Sequence, residues 1–190
     1  MKKFTLYILT AFGLMGLATS CNDFGDVNND PMNLNPGVVD YKMEFTQVEA
    51  QICGSDWDVW RNGCIYTANM IQHTASVDWA YGVFYTWNDQ YSGAYWGGFY
   101  SGGRAAIRNI IDVMNNWEGN PAYANEYQMC RILKAYMFQN MTDLYGDVPY
   151  SEAGQGYSTN PIPYPKYDTQ EAIYNDLLKE LDEALLPVIR

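Results

Sequence analysis

The second half of the chain carries apolar residues at helical spacing, which predicts three amphipathic helices. The stripe of the first helix is Ile107, Ile110, Ile111, Met114 and Trp117. The stripe of the second helix is Met129, Leu133, Met137, Met141 and Leu144. The stripe of the third helix is Ile173, Leu177, Leu181 and Leu185. We expect the second and third helices, residues 122–145 and 169–186, to pack antiparallel through these stripes.

Residues with known capping preferences mark the ends of these helices. Asn120 followed by Pro121 predicts the cap and first turn of the second helix. Asp168 and Glu171 lie three residues apart and predict a capping box at the start of the third helix. Pro187 predicts the end of that helix, because proline disrupts a helix interior.

The first half of the domain has weaker periodicity and more aromatic residues. A helix is predicted from about residue 41 to residue 53, with Phe45, Val48 and Ile52 on its apolar face. Residues 54–70 predict a turn and another helix, and residues 74–94 predict a loop with occasional helical turns. The pattern as a whole predicts an all-α domain of successive helical hairpins with aromatic-rich loops.

The start of the chain has the organisation of an export signal. Two lysines precede an apolar run at residues 4–17, which is shorter than the roughly 20 residues that a membrane-spanning helix needs. Small residues then lead directly into Cys21. This arrangement resembles the lipobox of bacterial lipoproteins, which implies that residues 1–20 are a signal peptide and that Cys21 is the lipid attachment site. The alternative is an ordinary signal peptide with a coincidental cysteine.

We predict that residues 21–40 form a flexible, lipidated tether. Its first residues are acidic and polar, with Asp23 and Asp26 close behind Cys21. Acidic residues are repelled by anionic lipid headgroups, so the tether should hold the folded part away from the membrane. The leader is similar to the surface-export signals of some outer-membrane lipoproteins, and a plain solvated linker is the alternative.

Charge and cysteine content limit the range of ligands. With 22 acidic against 11 basic residues, the net charge is −11, and a nucleic-acid partner is not expected because phosphate binding needs clustered cations. The chain has one histidine and no CxxC spacing, so we expect no metal site and no cofactor. Cys53 and Cys64 are either a disulfide or buried thiols.

Aromatic residues are the unusual feature of the composition, with 17 tyrosines, 7 phenylalanines and 6 tryptophans. Aromatic rings can stack on the apolar faces of sugar rings, and nearby Asp78, Asn88 and Asp89 can bond to sugar hydroxyls. The candidate ligand-binding residues are Trp79, Tyr81, Tyr85 and Trp87, for which a core role is the alternative. Trp96, Phe99 and Tyr100 are expected to be core.

No catalytic motif stands out in the sequence. It contains no GxSxG, no HExxH and no glycine-rich phosphate loop, and His73 stands alone. No pair of carboxylates can be distinguished from a solvated helix face. We therefore expect a binding protein and not an enzyme.

Three segments resemble one family. Residues 131–153 read RILKAYMFQNMTDLYGDVPYSEA, and residues 165–186 read PKYDTQEAIYNDLLKELDEALL. Residues 29–36 follow the pattern N-D-P-x-x-x-N-P soon after Cys21. These segments resemble the SusD/RagB-like nutrient-binding outer-membrane lipoproteins.

The resemblance implies a fold, a location and partners. It implies tetratricopeptide-like helical hairpins in a lipid-anchored protein, exposed at the surface of the outer membrane. Such a protein binds nutrients, most often glycans and sometimes peptides, and delivers them to a SusC-like TonB-dependent transporter.

The resemblance also implies that the chain is incomplete at its C-terminus. Members of the family are considerably longer, so residues 41–190 are expected to be only the N-terminal part of a SusD-like domain. The alternative function is therefore a truncated structural fragment that binds nothing.

Overall fold

The computed structural model describes residues 40–52, 54–101, 105–156 and 160–188. The predicted signal peptide, Cys21 and nearly all of the predicted tether lie outside the described residues. The helices are α1 Tyr41–Gln51, α2 Asp56–Asp58, a π-helix Val59–Thr67, α3 Ala68–Met70, α4 Asp89–Ser92, α5 Ala94–Tyr100, α6 Ala106–Trp117, a 3-10 turn Pro121–Tyr123, α7 Ala124–Tyr145 and α8 Gln170–Val188. The predicted all-α class is confirmed.

Two very short strands lie in the segment between α7 and α8. Strand β1 (Val148–Pro149) pairs antiparallel with β2 (Tyr167–Asp168). Val148 lies opposite Asp168, and Pro149 lies opposite Tyr167. This pair closes the base of the loop.

The core lies where α6 packs between α1 and α7. Ile107, Ile110, Met114 and Trp117 are buried, which confirms the predicted stripe of α6. Val48 of α1 is also completely buried. Burying one such side chain stabilises a fold by about 1.5–3 kcal/mol, so this cluster anchors the helices.

Helices α7 and α8 form the predicted antiparallel hairpin. Near the start of α7, Arg131 pairs with Glu180 and with Glu183, the latter at 2.6 Å, in the second half of α8. At the other end, the Gln170 side chain donates to the Thr142 carbonyl oxygen at 2.8 Å. The start of α8 therefore lies beside the end of α7.

The predicted stripes of this hairpin are correct at their centres and wrong at their edges. Met137, Met141, Ile173 and Leu177 are buried, and Leu133 and Leu181 pack partly buried against the core. Met129, Leu144 and Leu185 are 46%, 42% and 54% exposed, whereas Cys130, Phe138 and Ala184 are buried. The buried face of α7 is wider than one stripe because both α6 and α8 pack against it.

The capping predictions have mixed outcomes. The Asn120 side chain accepts a hydrogen bond from the Ala122 N–H at 3.0 Å, as predicted. The predicted capping box of α8 is wrong: Thr169 is the cap, and its hydroxyl accepts from the Ala172 N–H at 3.3 Å. Asp168 instead binds the loop after β1. Helix α8 also continues past Pro187 to Val188.

Two cysteines within the described residues are free thiols. Cys64 is exposed and Cys130 is buried. Cys64 therefore forms neither the disulfide considered for it nor the buried thiol of the alternative, and Cys53 lies outside the described residues. None of the helices in the described part of the chain is both long and apolar enough to cross a membrane.

Candidate functional site

The candidate site begins with a helical segment whose first turn is fixed by Ser55 and Asp58. The Asp58 carboxylate accepts from the Ser55 N–H at 2.9 Å, and the Ser55 hydroxyl accepts from the Asp58 N–H at 3.4 Å. This reciprocal capping box starts α2, and the π-helix follows directly. Such wide helical turns are rare and frequently occur at functional sites. Trp57, Trp60 and Arg61 lie on these two elements.

The next loop returns to this segment at Gly82. Its N–H donates to the Ile65 carbonyl oxygen at 3.2 Å. A Cβ at residue 82 would lie 2.5 Å from that oxygen and 2.7 Å from the Tyr66 carbonyl oxygen, so only glycine fits without displacing the backbone. This close approach holds Trp79 and Tyr81, on the same loop, beside the π-helix.

Two aromatic residues of the loop have left-handed backbones. The φ angle is 48° at Trp79 and 53° at Tyr85. This conformation is uncommon for bulky residues, costs about 1–3 kcal/mol and clusters at functional sites. The Asp78 carboxylate accepts from the Trp79 N–H at 3.1 Å and thereby stabilises the turn.

Seven rings from these segments form one continuous set of ring contacts, which we call the aromatic network: Trp57, Trp60, Tyr66, Trp79, Tyr81, Trp87 and Tyr91. Trp60 lies at its centre. The Trp60 ring centroid is 5.5 Å from that of Trp57, 5.2 Å from that of Trp79 and 6.0 Å from that of Tyr91. All three contacts are edge-to-face, an arrangement that aromatic pairs favour.

The tyrosines extend the network to Trp87. The Tyr81 ring centroid lies 5.5 Å from that of Tyr91 and 6.4 Å from that of Tyr66. Tyr66 lies a further 6.4 Å from Trp87. Tyr66 is buried and donates its hydroxyl to the Asn88 carbonyl oxygen at 3.3 Å, and burial raises its pKa. Tyr66 is therefore the buried member of the network and fixes it to the loop at Asn88.

The outer rings of the network face solvent. Trp87 is 70% exposed, Trp57 63% and Trp79 47%. A contiguous group of large exposed aromatic residues is unusual on a protein surface unless it binds something. These three rings therefore provide flat apolar faces that a ligand can cover.

Arg61 lies among the rings. Its guanidinium is 5.5 Å from the Trp57 ring centroid and 5.6 Å from that of Tyr91, which are cation–π distances. Its Nε atom is buried and has no hydrogen-bond acceptor within the described part of the chain. The ring faces therefore contribute to the stabilisation of this charge.

Polar groups border the network. The Trp87 indole N–H donates to the Asp89 carboxylate, and the Asn88 side chain accepts from the Tyr91 N–H at 3.3 Å. A carboxylate has about four lone-pair sites, so Asp78 and Asp89 retain the capacity to accept from a ligand. The Asn88 side-chain oxygen, in contrast, caps α4.

Three of the four predicted ligand-binding residues lie together in the structure. Trp79, Tyr81 and Trp87 belong to the aromatic network. Tyr85 is exposed and donates its hydroxyl to the Met70 carbonyl oxygen at 3.1 Å, outside the network.

Several residues of the site were not predicted. The missed network members are Trp57, Trp60, Tyr66 and Tyr91. A usable signal was the spacing of Trp57 and Trp60, which puts two tryptophans on one side of a short helix. The expected core residues are as predicted, since Phe99 is buried and Trp96 and Tyr100 pack partly buried against the core.

Comparison with known proteins identifies the family. A family model for SusD-like proteins, described as starch-binding and associating with the outer membrane, matches residues 38–188. The chain belongs to the SusD-like family. Proteins of this family are binding proteins and not enzymes, and they are associated with the outer membrane.

This SusD-like chain resembles several solved structures, of which two are described here. One is a chitin-binding protein with 34% identity and a TM-score of 0.62, for which the match covers 75% of this chain and 29% of that one. The other is described as Bacteroidetes AC2a SusD-like, with 30% identity and a TM-score of 0.62, covering 77% of this chain and 26% of that one. This SusD-like chain thus spans less than a third of either relative. No curated protein sequence matches it.

No metal-binding group accompanies the rings of the SusD-like chain in the residues that the structure describes. Among those residues, no three His, Cys, Asp or Glu side chains lie close enough together to hold an ion. The chemistry of the described site is therefore that of aromatic faces and carboxylate acceptors.

Proposed function

We propose that this protein binds neutral oligosaccharides on the aromatic network and delivers them to a SusC-like TonB-dependent transporter. The observation that carries the proposal is the pair of exposed rings, Trp57 and Trp79, on either side of the half-buried Trp60, with the exposed Trp87 joined to the same network through Tyr66. A sugar ring has an apolar face that matches an aromatic ring and a rim of hydroxyls that matches carboxylate acceptors.

The energies favour a ligand of several sugar units. A favourable ring contact is worth about 0.5–1.5 kcal/mol beyond the area that it buries. One contact therefore gives weak binding, and several adjacent contacts are needed for a useful affinity. The network offers three exposed tryptophans, which suits an oligosaccharide better than a single sugar.

Charge supports a neutral ligand. The chain carries a net charge of −11, and the Asp78 and Asp89 carboxylates accept hydrogen bonds from Trp79 and Trp87, respectively. An anionic glycan would be repelled by these carboxylates, whereas neutral hydroxyls donate hydrogen bonds to them. The two comparison findings, a starch-binding family description and a chitin-binding relative, both concern neutral glycans.

The proposed location follows from the predicted lipid. An acyl chain on Cys21 would anchor the protein to the outer membrane, and the acidic tether would hold the domain away from the lipid surface. Surface exposure and transporter delivery are parts of the same proposal, supported by the family's outer-membrane association.

Calorimetric titration with chitotetraose and maltotetraose tests the binding proposal. We expect Trp79→Ala/Trp87→Ala to weaken binding of the preferred sugar at least tenfold, since two stacking faces are lost and tenfold corresponds to about 1.4 kcal/mol. Phe84→Ala is the matched control, because Phe84 is 72% exposed on the same loop but outside the network. Unchanged affinity in the double variant, with an unchanged melting temperature, would contradict the proposal.

The same titration tests the alternative of a structural fragment that binds nothing. The alternative has one observation in its favour, namely that the chain spans less than a third of either solved relative. It predicts no heat of binding with any oligosaccharide, even for the folded wild type.

A further inference from the structure

A second aromatic cleft lies away from the exposed tryptophans of the network. It has a volume of about 400 Å³, within the usual range for ligand clefts. Its walls include Trp96 and Tyr100 of α5, Pro149 of β1, Tyr164 of the following loop and Tyr167 of β2. The cleft thus lies between α5 and the loop that joins α7 to α8.

The α5 wall is held in place by hydrogen bonds and ring packing. The Trp96 N–H donates to the Tyr145 hydroxyl at 3.0 Å, and that hydroxyl donates to the Ser92 carbonyl oxygen at 2.7 Å. The Trp96 ring also packs edge-to-face on Tyr145, with centroids 5.3 Å apart. Tyr100 donates its hydroxyl to the Pro149 carbonyl oxygen at 2.6 Å. These contacts pre-organise the wall.

The loop side is fixed at Gly154, which also lines the cleft. Its φ angle is +74°, and a Cβ there would lie 3.0 Å from the Ile111 side chain of α6. Glycine therefore lets the turn pack tightly on α6. Ser151 secures the same turn, since its N–H and hydroxyl donate to Asp168 at 2.7 and 2.8 Å.

The mouth of the cleft combines exposed rings with polar groups. Tyr164 is 91% exposed and Tyr167 is 63% exposed, and the Tyr167 ring stacks on Trp96 with an interplanar angle of 20°. Glu152 and Arg108 also line it; the Glu152 carboxylate accepts from the Lys166 N–H at 3.0 Å, and the Arg108 guanidinium donates to the Asn109 side chain at 3.0 Å. Flat apolar walls with a hydrogen-bond donor and an acceptor at the edge match a pyranose ring, which has apolar faces and a hydroxyl rim.

We propose that this cleft is a second carbohydrate-binding site, which takes a neutral sugar unit between Tyr164 and the Trp96–Tyr167 stack. The inference rests on the proposed function, in that it assigns a further site for the same class of ligand. The two sites share one stretch of chain, since Tyr91 of α4 belongs to the network and Trp96 follows in α5. A proline-rich peptide fits less well, because proline has no N–H to donate, whereas sugar hydroxyls can donate to the Glu152 oxygen that does not accept from Lys166.

Saturation-transfer NMR detects weak ligand binding and tests the cleft directly. The proteins compared are the wild type, the network variant Trp79→Ala/Trp87→Ala, the cleft variant Tyr164→Ala/Tyr167→Ala and a variant with all four substitutions. The probes are chitotetraose, maltotetraose and decaproline. Tyr164 and Tyr167 are exposed, so the cleft variant should keep the wild-type melting temperature within a few degrees, and Tyr164→Ala alone serves if it does not.

The inference predicts that the network variant retains a saturation-transfer signal from one of the sugars and that adding the cleft substitutions removes it. A network variant without any sugar signal would overturn the second site and leave the proposed function intact. A sugar signal that survives all four substitutions, or a cleft-dependent signal from decaproline alone, would also overturn it. If only the cleft substitutions reduce the sugar signal, the cleft is supported and the network proposal fails.

Discussion

A single residue, Gly82, determines how closely the loop of the candidate site approaches the π-helix. The loop backbone approaches the π-helix so closely here that an added methyl group would overlap two carbonyl oxygens, those of Ile65 and Tyr66. Trp79 and Tyr81 reach the network only because this approach is possible. A side chain at residue 82 must therefore change both stability and ligand binding.

We predict that Gly82→Ala lowers the free energy of unfolding by about 1–3 kcal/mol, a typical cost of overpacking. It should also weaken oligosaccharide binding, because the loop must move away from the π-helix. Urea unfolding and calorimetric titration measure the two effects. Gly97→Ala is the matched control: no atom lies within 4 Å of an added Cβ in the interior of α5, so stability should be unchanged or higher by up to about 1 kcal/mol. Equal effects of the two substitutions would contradict the account.

The sequence predicts part of the site at this scale. Trp79, Tyr81 and Trp87 are found because they cluster in a segment without an apolar stripe. Trp57 and Trp60 are missed, because Trp60 contacts Trp79 across 19 residues of chain, Trp57 joins the network only through Trp60, and the contact depends on the backbone approach at Gly82. Residue spacing along the chain carries no information about such a tertiary contact.

The α7–α8 hairpin is held together by both apolar packing and ion pairs. Its two helices bury one shared apolar seam, and Arg131 pairs with glutamates across its surface. On the outer side, Ile132, Tyr136 and Leu178 line a solvent-facing groove. The same helix α8 thus offers one completely buried and one exposed aliphatic residue for comparison.

We expect Ile173→Ala to lower the free energy of unfolding by about 2–5 kcal/mol, because Ile173 is completely buried and its truncation leaves a cavity. Leu178→Ala, at a 62% exposed position five residues along the same helix, should change it by no more than about 0.5 kcal/mol. Thermal or urea unfolding followed by circular dichroism measures both. A larger loss for Leu178→Ala would mean that the faces of α8 are assigned wrongly.

The spacing of apolar residues predicts the long helices correctly, but it assigns some residues at the edges of their buried faces wrongly. The stripes of α6, α7 and α8 identify the central core residues, because each helix has a continuous buried face. Met129 and Leu185 are assigned wrongly, since a stripe drawn at one spacing does not show how many neighbours a helix has. Strands β1 and β2 are missed because two residues are too few to show alternation.

At the scale of the whole molecule, the described domain is a SusD-like helical scaffold that carries aromatic rings on its surface. The family model covers residues 38–188, and the two solved relatives match 75% and 77% of the chain at 34% and 30% identity. The family, its outer-membrane association and the fold therefore rest on most of the chain. The proposed lipid anchor and the proposed glycan ligand depend on particular residues.

We predict that Cys21 is acylated, because small residues precede it at the end of an apolar segment. Labelled palmitate should be incorporated into the wild type in the native host and not into Cys21→Ala. Cys64→Ala, which removes an exposed thiol, controls for non-specific labelling and should label like the wild type. Equal labelling of Cys21→Ala and the wild type would contradict the lipid anchor.

The most direct test of the central claim is to observe the tryptophans while an oligosaccharide binds. The chain has six tryptophans, four of them in the aromatic network, and fluorinated tryptophan gives each a separate fluorine NMR signal, assigned by single Trp→Phe substitutions. Titration with the oligosaccharide that binds best should shift the signals of Trp79 and Trp87. The Trp117 signal should not move, because this residue is only 3% exposed in the core. Saturating ligand that leaves all four network signals unchanged would contradict the claim that the network binds glycans.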